Sequence, residues 1–391
     1  MKVFIIDTIE LPVGKSSDMV HKLEIAKNLS KLGCEVHVMT YEGTKLSGMI
    51  AHPMKAKEKY KIGLAFKIMH LMKILKIICE YNFDILYTRN ASFAFLGILF
   101  KKIIKSKLVF ELNGLFSEDW KFIKEISNKK ELFEKLKIVI MDHIEIFAAK
   151  KADAVITVTQ GIRDILMRRG VNGKKITVIP NGANADLFRP IKDPIAINKL
   201  RYKYSISENA QIVIFIGSLM PYQGVEYLIK SAPLILKNVP NTMFLIIGKG
   251  PVESELIRLV EKMGVTDKFI FIGNIPYEEV PLYINAADVC VVPKKPLSYG
   301  YSPLKLYEYM ACGKPVIATN TEGFEILKKY NAGILVNPEN PEEFSNAIIK
   351  LLQNKKLREQ MGANGRELVV KKYNWENNAK RTIEVFKNLL R

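Results

Sequence analysis

The chain has 391 residues, 48% of them apolar and 25% charged, and a formal net charge of +19. That length supports two or three ordinary domains with separate apolar cores, and the balance excludes disordered and collagen-like classes. Residues 1–190 carry +12 of the excess, and with no groove-binding element or interleaved aromatics beside it the charge points to an anionic substrate or a membrane face, not to nucleic acid.

The opening run MKVFIIDTIE reads as a first strand, since it lacks the longer apolar region and cleavage site of a signal peptide. A loop with Gly14, Lys15, Ser16 and Ser17 follows, ahead of a helix through Met19–Leu32. Gly14-Lys15-Ser16 copies the tail of a P-loop, but the glycine required five positions earlier is Ile9, so a phosphate cradle of that type is not expected. After EVHVMT, the stretch Lys55–Ile78 sets Phe66, Met69, Leu71 and Leu75 among Lys61, Lys67, Lys73 and Lys76. That composition fits an interfacial helix on a membrane or, equally, a core-packed helix with a solvated lysine face.

DILYTR ends in Arg89 and Asn90, and KLVFEL leads into Glu111, Asn113 and Gly114; at strand ends these project toward a binding edge. Arg89 there can hold an acceptor phosphate or carboxylate, or else an ion pair with Glu111 or Asp119. Between those strands ASFAFLGILFKKII is interrupted by Lys101 and Lys102, too soon for a membrane span. DAVITVT and ITVIPNG complete an alternation of strands and helices that implies a parallel sheet. Around Phe188-Arg189-Pro190 the rhythm pauses, which places a domain boundary after residue 189.

The second half repeats the scheme through IVIFIG, MFLIIG, KFIFIG, DVCVVP, PVIAT and GILVN, and four of these strands end directly in glycine or proline. Two such domains, residues 1–189 and 190–374, would face across a cleft with their strand ends toward an extended ligand. Gly248-Lys249-Gly250 begins like a dinucleotide fingerprint, but Glu253 replaces its third glycine. In YGYSPLKLYEYMACGKPVIAT, Ser302 stands where an N-cap belongs and Pro303 where a helix begins, so backbone N–H groups around Leu304 suit a diphosphate. Lys305 is placed to reach phosphate, and Glu308 to accept bonds from two ribose hydroxyls.

This run resembles the C-terminal signature of the retaining GT-B glycosyltransferases of family 4, in which the second of two glutamates spaced eight apart holds the donor ribose; Glu308 occupies that place. DAVITVTQGIRDIL with ITVIPNGANADLF, FIGSLMPYQGVEYLIKSA and FIGNIPYEEVPLYINAADVCVVP extend the likeness over nearly the whole chain. The resemblance implies an α/β GT-B fold of two Rossmann-like domains, with the last helix, residues 375–391, crossing back to the first. It implies donor contacts at Gly217, Ser218, Gln223, Gly248, Lys249, Lys294, Tyr301, Ser302, Pro303 and Leu304, base contacts near Asn274 and Ile275, and catalytic roles for Lys305 and Glu308. In the first domain it brings Gly14, Lys15 and Ser16 under the donor phosphates and acceptor, with Arg89, Glu111 and Asn113 toward the acceptor.

Three positions depart from the pattern. Gly300 stands where the first glutamate belongs, leaving the sugar to backbone amides near Tyr301 and Ser302. Ser218 and Gln223 replace an arginine and a lysine that grip the diphosphate, so Lys305, with Lys249 and Lys294 behind it, is the expected replacement. No catalytic histidine can be assigned, because the strand end in question reads ELNG.

The expected reaction is metal-independent retaining transfer from a UDP- or GDP-sugar to a glycan, lipid-linked or other small acceptor, with no cofactor and no metal, in the cytoplasm or on the inner membrane face. A nucleotide-sugar epimerase or hydrolase of the same fold, or a silent scaffold binding nucleotide sugars or membranes, are the alternatives. The four cysteines, Cys34, Cys79, Cys290 and Cys312, are widely spaced and read as small buried hydrophobes.

Overall fold

The computed structural model describes residues 1–9, 17–42, 44, 46–54, 64–116, 131–191 and 193–391. It divides into two compact units, Met1–Pro180 with Trp375–Arg391, and Asn181–Asn374.

The first unit holds a seven-stranded parallel sheet in the order β3-β2-β1-β4-β5-β6-β7. Its strands are β1 (Lys2–Ile9), β2 (Glu35–Tyr41), β3 (Ile50–Met54), β4 (Ile85–Thr88), β5 (Lys107–Leu112), β6 (Ala154–Thr157) and β7 (Ile176–Val178). Helices α1 (Ser17–Lys31), α2 (Leu64–Tyr81), α3 (Ala91–Ile104), α4 (Glu131–Lys151) and α5 (Gln160–Arg168) make the crossovers. Asn90 caps α3, its side chain accepting from the amides of Ser92 and Phe93, so the strand β4 turns directly into a helix.

In the second unit a six-stranded parallel sheet runs β10-β9-β8-β11-β12-β13. Its strands are β8 (Gln211–Ile216), β9 (Thr242–Ile247), β10 (Phe269–Gly273), β11 (Val289–Val292), β12 (Val316–Thr319) and β13 (Gly333–Val336). Around it lie α6 (Pro194–Lys203), α7 (Val225–Asn238), α8 (Glu253–Lys262), α9 (Val280–Ala286), α10 (Leu304–Ala311), α11 (Glu325–Lys329), α12 (Pro341–Gln353) and α13 (Lys355–Lys371). Helices cover both faces, so β8 is apolar on both: Ile212 and Ile214 enter one core, Val213 and Phe215 the other. In each sheet the strand order reverses once, between β1 and β4 and between β8 and β11, and doubly wound folds open their ligand crevice at that point.

The last helix, α14 (Trp375–Leu390), belongs to the first unit. It buries Trp375, Ala379 and Phe386, with the Trp375 ring edge-on to His21 at 4.8 Å and Phe386 near Tyr87. Asn378 and Arg381 tie it to the carbonyls of Pro180 and Val178. The units meet in sequence at Pro180 and Asn181, nine residues ahead of the pause at Pro190 from which the boundary was expected. Phe188 explains the difference, since it is fully buried in the core of the second unit.

The stretch Lys55–Ile78 lies partly outside the described residues. In its second half Ile74, Ile77 and Ile78 are buried while Met72 and Lys76 are exposed, so this part of α2 packs one face on the core and turns another, part apolar and part basic, to solvent. Cys34, Cys290 and Cys312 are buried thiols, whereas Cys79 is exposed, against the expectation for it.

At the sheet edge, His37 Nδ1 lies 2.8 Å from His52 Nε2, and His37 Nε2 lies 3.0 Å from Glu35. Burial, with His37 and Lys73 nearby, pushes the His52 imidazole down to about 4. A group depressed on folding contributes stability that is whole above its unfolded value and lost as pH falls toward its folded one. The urea midpoint is therefore expected to decline between about pH 6.5 and pH 4, and His52→Phe to show a shallower decline over that window; identical profiles would refute the assignment.

Candidate functional site

At the carboxyl end of β8 the chain passes from Phe215 and Ile216 into Gly217, which has φ +146°. A Cβ at Gly217 would press on the Lys305 ammonium, so the missing side chain is what lets that lysine lie across the strand end. Lys305, from the first turn of α10, is buried. Its Nζ stands 3.9 Å from the centre of the Phe215 ring and donates to Gln223 Oε1 at 3.0 Å. No carboxylate lies within ion-pair distance of it among the described residues. Burial, reinforced by the Lys294 charge and opposed by Glu308, pushes Lys305 well below the ordinary lysine range.

Lys294 follows the end of β11, on the other side of the same strand-order reversal. It too is buried, its ammonium 4.1 Å over the Tyr301 ring and 4.8 Å over that of Tyr222. Ring faces attract cations, so two buried lysine side chains, each against aromatic faces, come to one strand edge. Lys249 differs from both, being exposed at the end of β9. Gly248, just before it, packs its Cα side on the Gly217 carbonyl, and exposed Ser218 receives the Gln223 side-chain amide at 3.4 Å.

The helix α10 starts at Leu304, one position later than the sequence pattern suggests, with Pro303 at the cap and no side-chain cap hydrogen bond. Ser302 does not cap because its hydroxyl accepts from the Asn181 amide at 2.8 Å and lies 3.1 Å from the Tyr307 hydroxyl. The first N–H groups of a helix have no partners within it, so this end is suited to an anion. Tyr301 offers no free amide, since its N–H donates to the Glu322 carbonyl at 2.9 Å. Glu308, about one turn into α10, is buried and accepts from the Tyr277 hydroxyl at 3.1 Å. Asn274 is exposed beyond β10, and Ile275 packs half-buried on the core.

Gly300 has φ +68°, and a Cβ there would collide with the Glu322 side chain and carbonyl. The position thus excludes a glutamate both by backbone conformation and by space.

In the first unit Gly14, Lys15 and Ser16 lie outside the described residues, and Asn113 is exposed after β5. Arg89 and Glu111 are both buried and joined at 3.4 Å, while Arg89 also reaches Asp18 at 2.9 Å. Asp7 accepts from the Arg89 amide, and Lys22 lies 2.6 Å from Asp18 and 3.8 Å from Asp7. Burial raises the Asp18 carboxyl, but Arg89 and Lys22 outweigh it and hold the group below its usual range. His21 adds a contact at 2.9 Å to Glu111, reaching from α1 the strand end where no histidine stands in sequence. Of the two roles open to Arg89, the structure displays the internal ion pair. Among the described residues no group of three or more His, Cys, Asp or Glu is placed to hold a metal ion.

The model of glycosyl transferases group 1 matches residues 196–368, and that of glycosyltransferase family 4 matches residues 20–187. The chain belongs to these glycosyltransferases. An uncharacterized glycosyltransferase of Methanocaldococcus jannaschii is 26% identical over 94% of this chain and 93% of its own length. The GDP-mannose-dependent alpha-(1-6)-phosphatidylinositol monomannoside mannosyltransferase of Mycobacterium tuberculosis is 30% identical over 51% of this chain and 52% of its own. Among solved structures, sucrose-phosphate synthase from Thermosynechococcus elongatus superimposes with a TM-score of 0.78 at 21% identity, covering 100% of this chain and 99% of that one. Anabaena HepE in complex with UDP and glucose gives 0.75 at 18% identity, over 99% of both chains. The fold of this glycosyltransferase is GT-B.

Several residues beside the candidate site escape sequence reading. Phe215, Tyr222 and Tyr277 look like ordinary core or loop aromatics, and Glu322 like a turn residue; only tertiary contact gives them a place beside Lys305, Lys294, Glu308 and Gly300. Gly217→Ala is expected to cost about 1–3 kcal/mol through overpacking against Lys305 and the positive φ. Adding Lys305→Met should recover the steric share in a double-mutant cycle followed by thermal unfolding, and strictly additive losses would contradict that coupling.

Proposed function

We propose that this glycosyltransferase moves a sugar with retention of configuration from a UDP- or GDP-sugar, without a metal, to a glycan, lipid-linked or other small acceptor. The observation that carries the donor half is the pair of buried lysines, Lys294 and Lys305, at the strand-order reversal of the second sheet beside an uncapped helix start. A diphosphate there gains two cations and several amides; one ammonium at about 4 Å contributes on the order of 4 kcal/mol at an intermediate dielectric. The mannosyltransferase relative is named for GDP-mannose, and HepE was solved with UDP, which supports a nucleoside diphosphate of either base.

In this reading the diphosphate lies over Gly217 and the start of α10, Lys305 takes the place of the cations absent at Ser218 and Gln223, and Glu308 accepts the ribose hydroxyls. The acceptor oxygen bonds to the anomeric carbon on the face from which the diphosphate oxygen departs. The acceptor proton passes to that departing oxygen, so neither base nor metal enters the balance. Catalysis then rests on positioning and on charge stabilisation of the leaving group.

Two measurements test the reading. Glu308→Ala is expected to weaken UDP or GDP binding by about 10- to 100-fold, as loss of charge-assisted hydrogen bonds implies, with the melting temperature little changed; wild-type affinity by calorimetry would exclude the ribose role. The Lys305 ammonium should hold its proton to higher pH when a diphosphate binds, because the anion favours the charged form that burial disfavours. Binding is therefore expected to take up protons and to weaken as pH rises, giving heats that vary with the ionisation enthalpy of the buffer. Lys305→Met should abolish that variation, and buffer-independent heats in the wild type would remove Lys305 from the phosphate site.

A further inference from the structure

The turn after β12 is locked onto the segment that leads into α10. Glu322 accepts the Tyr301 amide on its carbonyl at 2.9 Å, and its Cβ and Cγ fill the space into which a side chain at Gly300 would grow. Gly323 then turns left-handed at φ +96°, where any Cβ would run into the Tyr301 carbonyl, and its amide donates to the Glu325 carboxylate at 2.9 Å. The Tyr301 ring, stacked on Phe324 with centroids 5.8 Å apart, is also the one beneath the Lys294 ammonium. One residue therefore ties a buried lysine to an exposed glutamate, the first through its ring and the second through its amide.

The order of the strands indicates what that glutamate meets. Along the carboxyl edge, β10 leads to Tyr277 with its hydroxyl on Glu308, β8 and β11 lead to Gly217 and Lys294, and β12, beside β11, leads to Glu322. A donor with its ribose at Glu308 and its diphosphate over Gly217 and Lys294 has already crossed from the β10 side to β11. Its sugar continues one strand farther, a step of about 5 Å, and arrives beside the turn of β12. Sugar hydroxyls donate hydrogen bonds, and a carboxylate with two acceptor oxygens takes a neighbouring pair of them in charge-assisted bonds.

We propose that Glu322 binds hydroxyls of the transferred sugar and restricts the donor to neutral sugars. A uronic acid would set its own carboxylate against that of Glu322, and like charges so juxtaposed exclude the wrong ligand. The assignment rests on the donor reading above, from which it takes the place of the ribose and the diphosphate.

Calorimetry on the full chain tests it with UDP, UDP-glucose and UDP-glucuronate, and with GDP, GDP-mannose and GDP-mannuronate as a second set. The wild type is expected to bind the neutral sugar nucleotide of its base about tenfold or more tightly than the uronate. Glu322→Gln, which keeps the shape of the side chain, should weaken the neutral sugar nucleotide about tenfold and bring the uronate to within about threefold of it. The melting temperature and the affinity for bare UDP or GDP should stay at wild-type values, whereas a side chain that merely filled the space over Gly300 would move those and leave the sugar preference alone. Unchanged preference in Glu322→Gln, with bare nucleotide still bound, would overturn the role of Glu322 and leave the donor reading standing. A wild type that binds neither UDP nor GDP would overturn the donor reading itself, and this assignment with it.

Discussion

The ammonium of Lys305 sits against the face of Phe215 with Gln223 as its hydrogen-bond acceptor, and a charge so placed loses most of its hydration without gaining a carboxylate in return. Much of the second unit's carboxyl edge follows from accommodating it. Gly217 must lack a side chain, Gln223 must be neutral enough to coexist with a cation, and aromatic faces must serve Lys294, whose own charge pushes in the same direction. Burying the Lys305 ammonium without a carboxylate in ion-pair distance among the described residues is costly to the folded protein. A buried lysine pushed well below its ordinary range at a strand-order reversal is the kind of group that marks a candidate ligand site.

The first unit has the same topology and handles charge in the opposite way. At its strand ends Arg89, Lys22 and His21 meet Asp7, Asp18 and Glu111 in one network, buried apart from the half-exposed Asp18. Removing one member of such a set leaves its partner uncompensated at a cost of about 3–5 kcal/mol, so these side chains hold α1 to the ends of β1, β4 and β5 before they do anything else. Two sheets of one design thus place their strand-end charges differently: in a network of opposite charges in the first, against aromatic faces and a side-chain amide in the second.

The alternation of strands and helices was plain in the sequence because strand and helix periods differ and parallel strands are apolar throughout. The motif placed Lys305 and Glu308 on one helix, and the structure buries both there. The precise start of α10 was not legible: Ser302 has the chemistry of a cap, but Asn181 and Tyr307 compete for its hydroxyl, and both contacts depend on how the chain folds back. The three candidate lysines looked alike in sequence, whereas burial separates Lys294 and Lys305 from exposed Lys249. At Gly300 the sequence registers a lost carboxylate; only the structure adds that Glu322 fills the adjoining space and that the backbone has turned left-handed. The basic, apolar helix α2 buries Ile74, Ile77 and Ile78 in its described half while Met72 is exposed, a division that the sequence alone did not give.

The return of α14 to the first unit has a consequence for the order in which the protein forms. Residues 181–374 are contiguous and can leave the ribosome as a whole, with every strand of their sheet present. The earlier strands must wait: until Trp375 and Phe386 have been synthesised, the ground beside His21 and Tyr87 stays uncovered. Because domains fold as units when their parts are available, the half made first is the half completed last, and the nascent chain carries an open apolar surface through most of its translation.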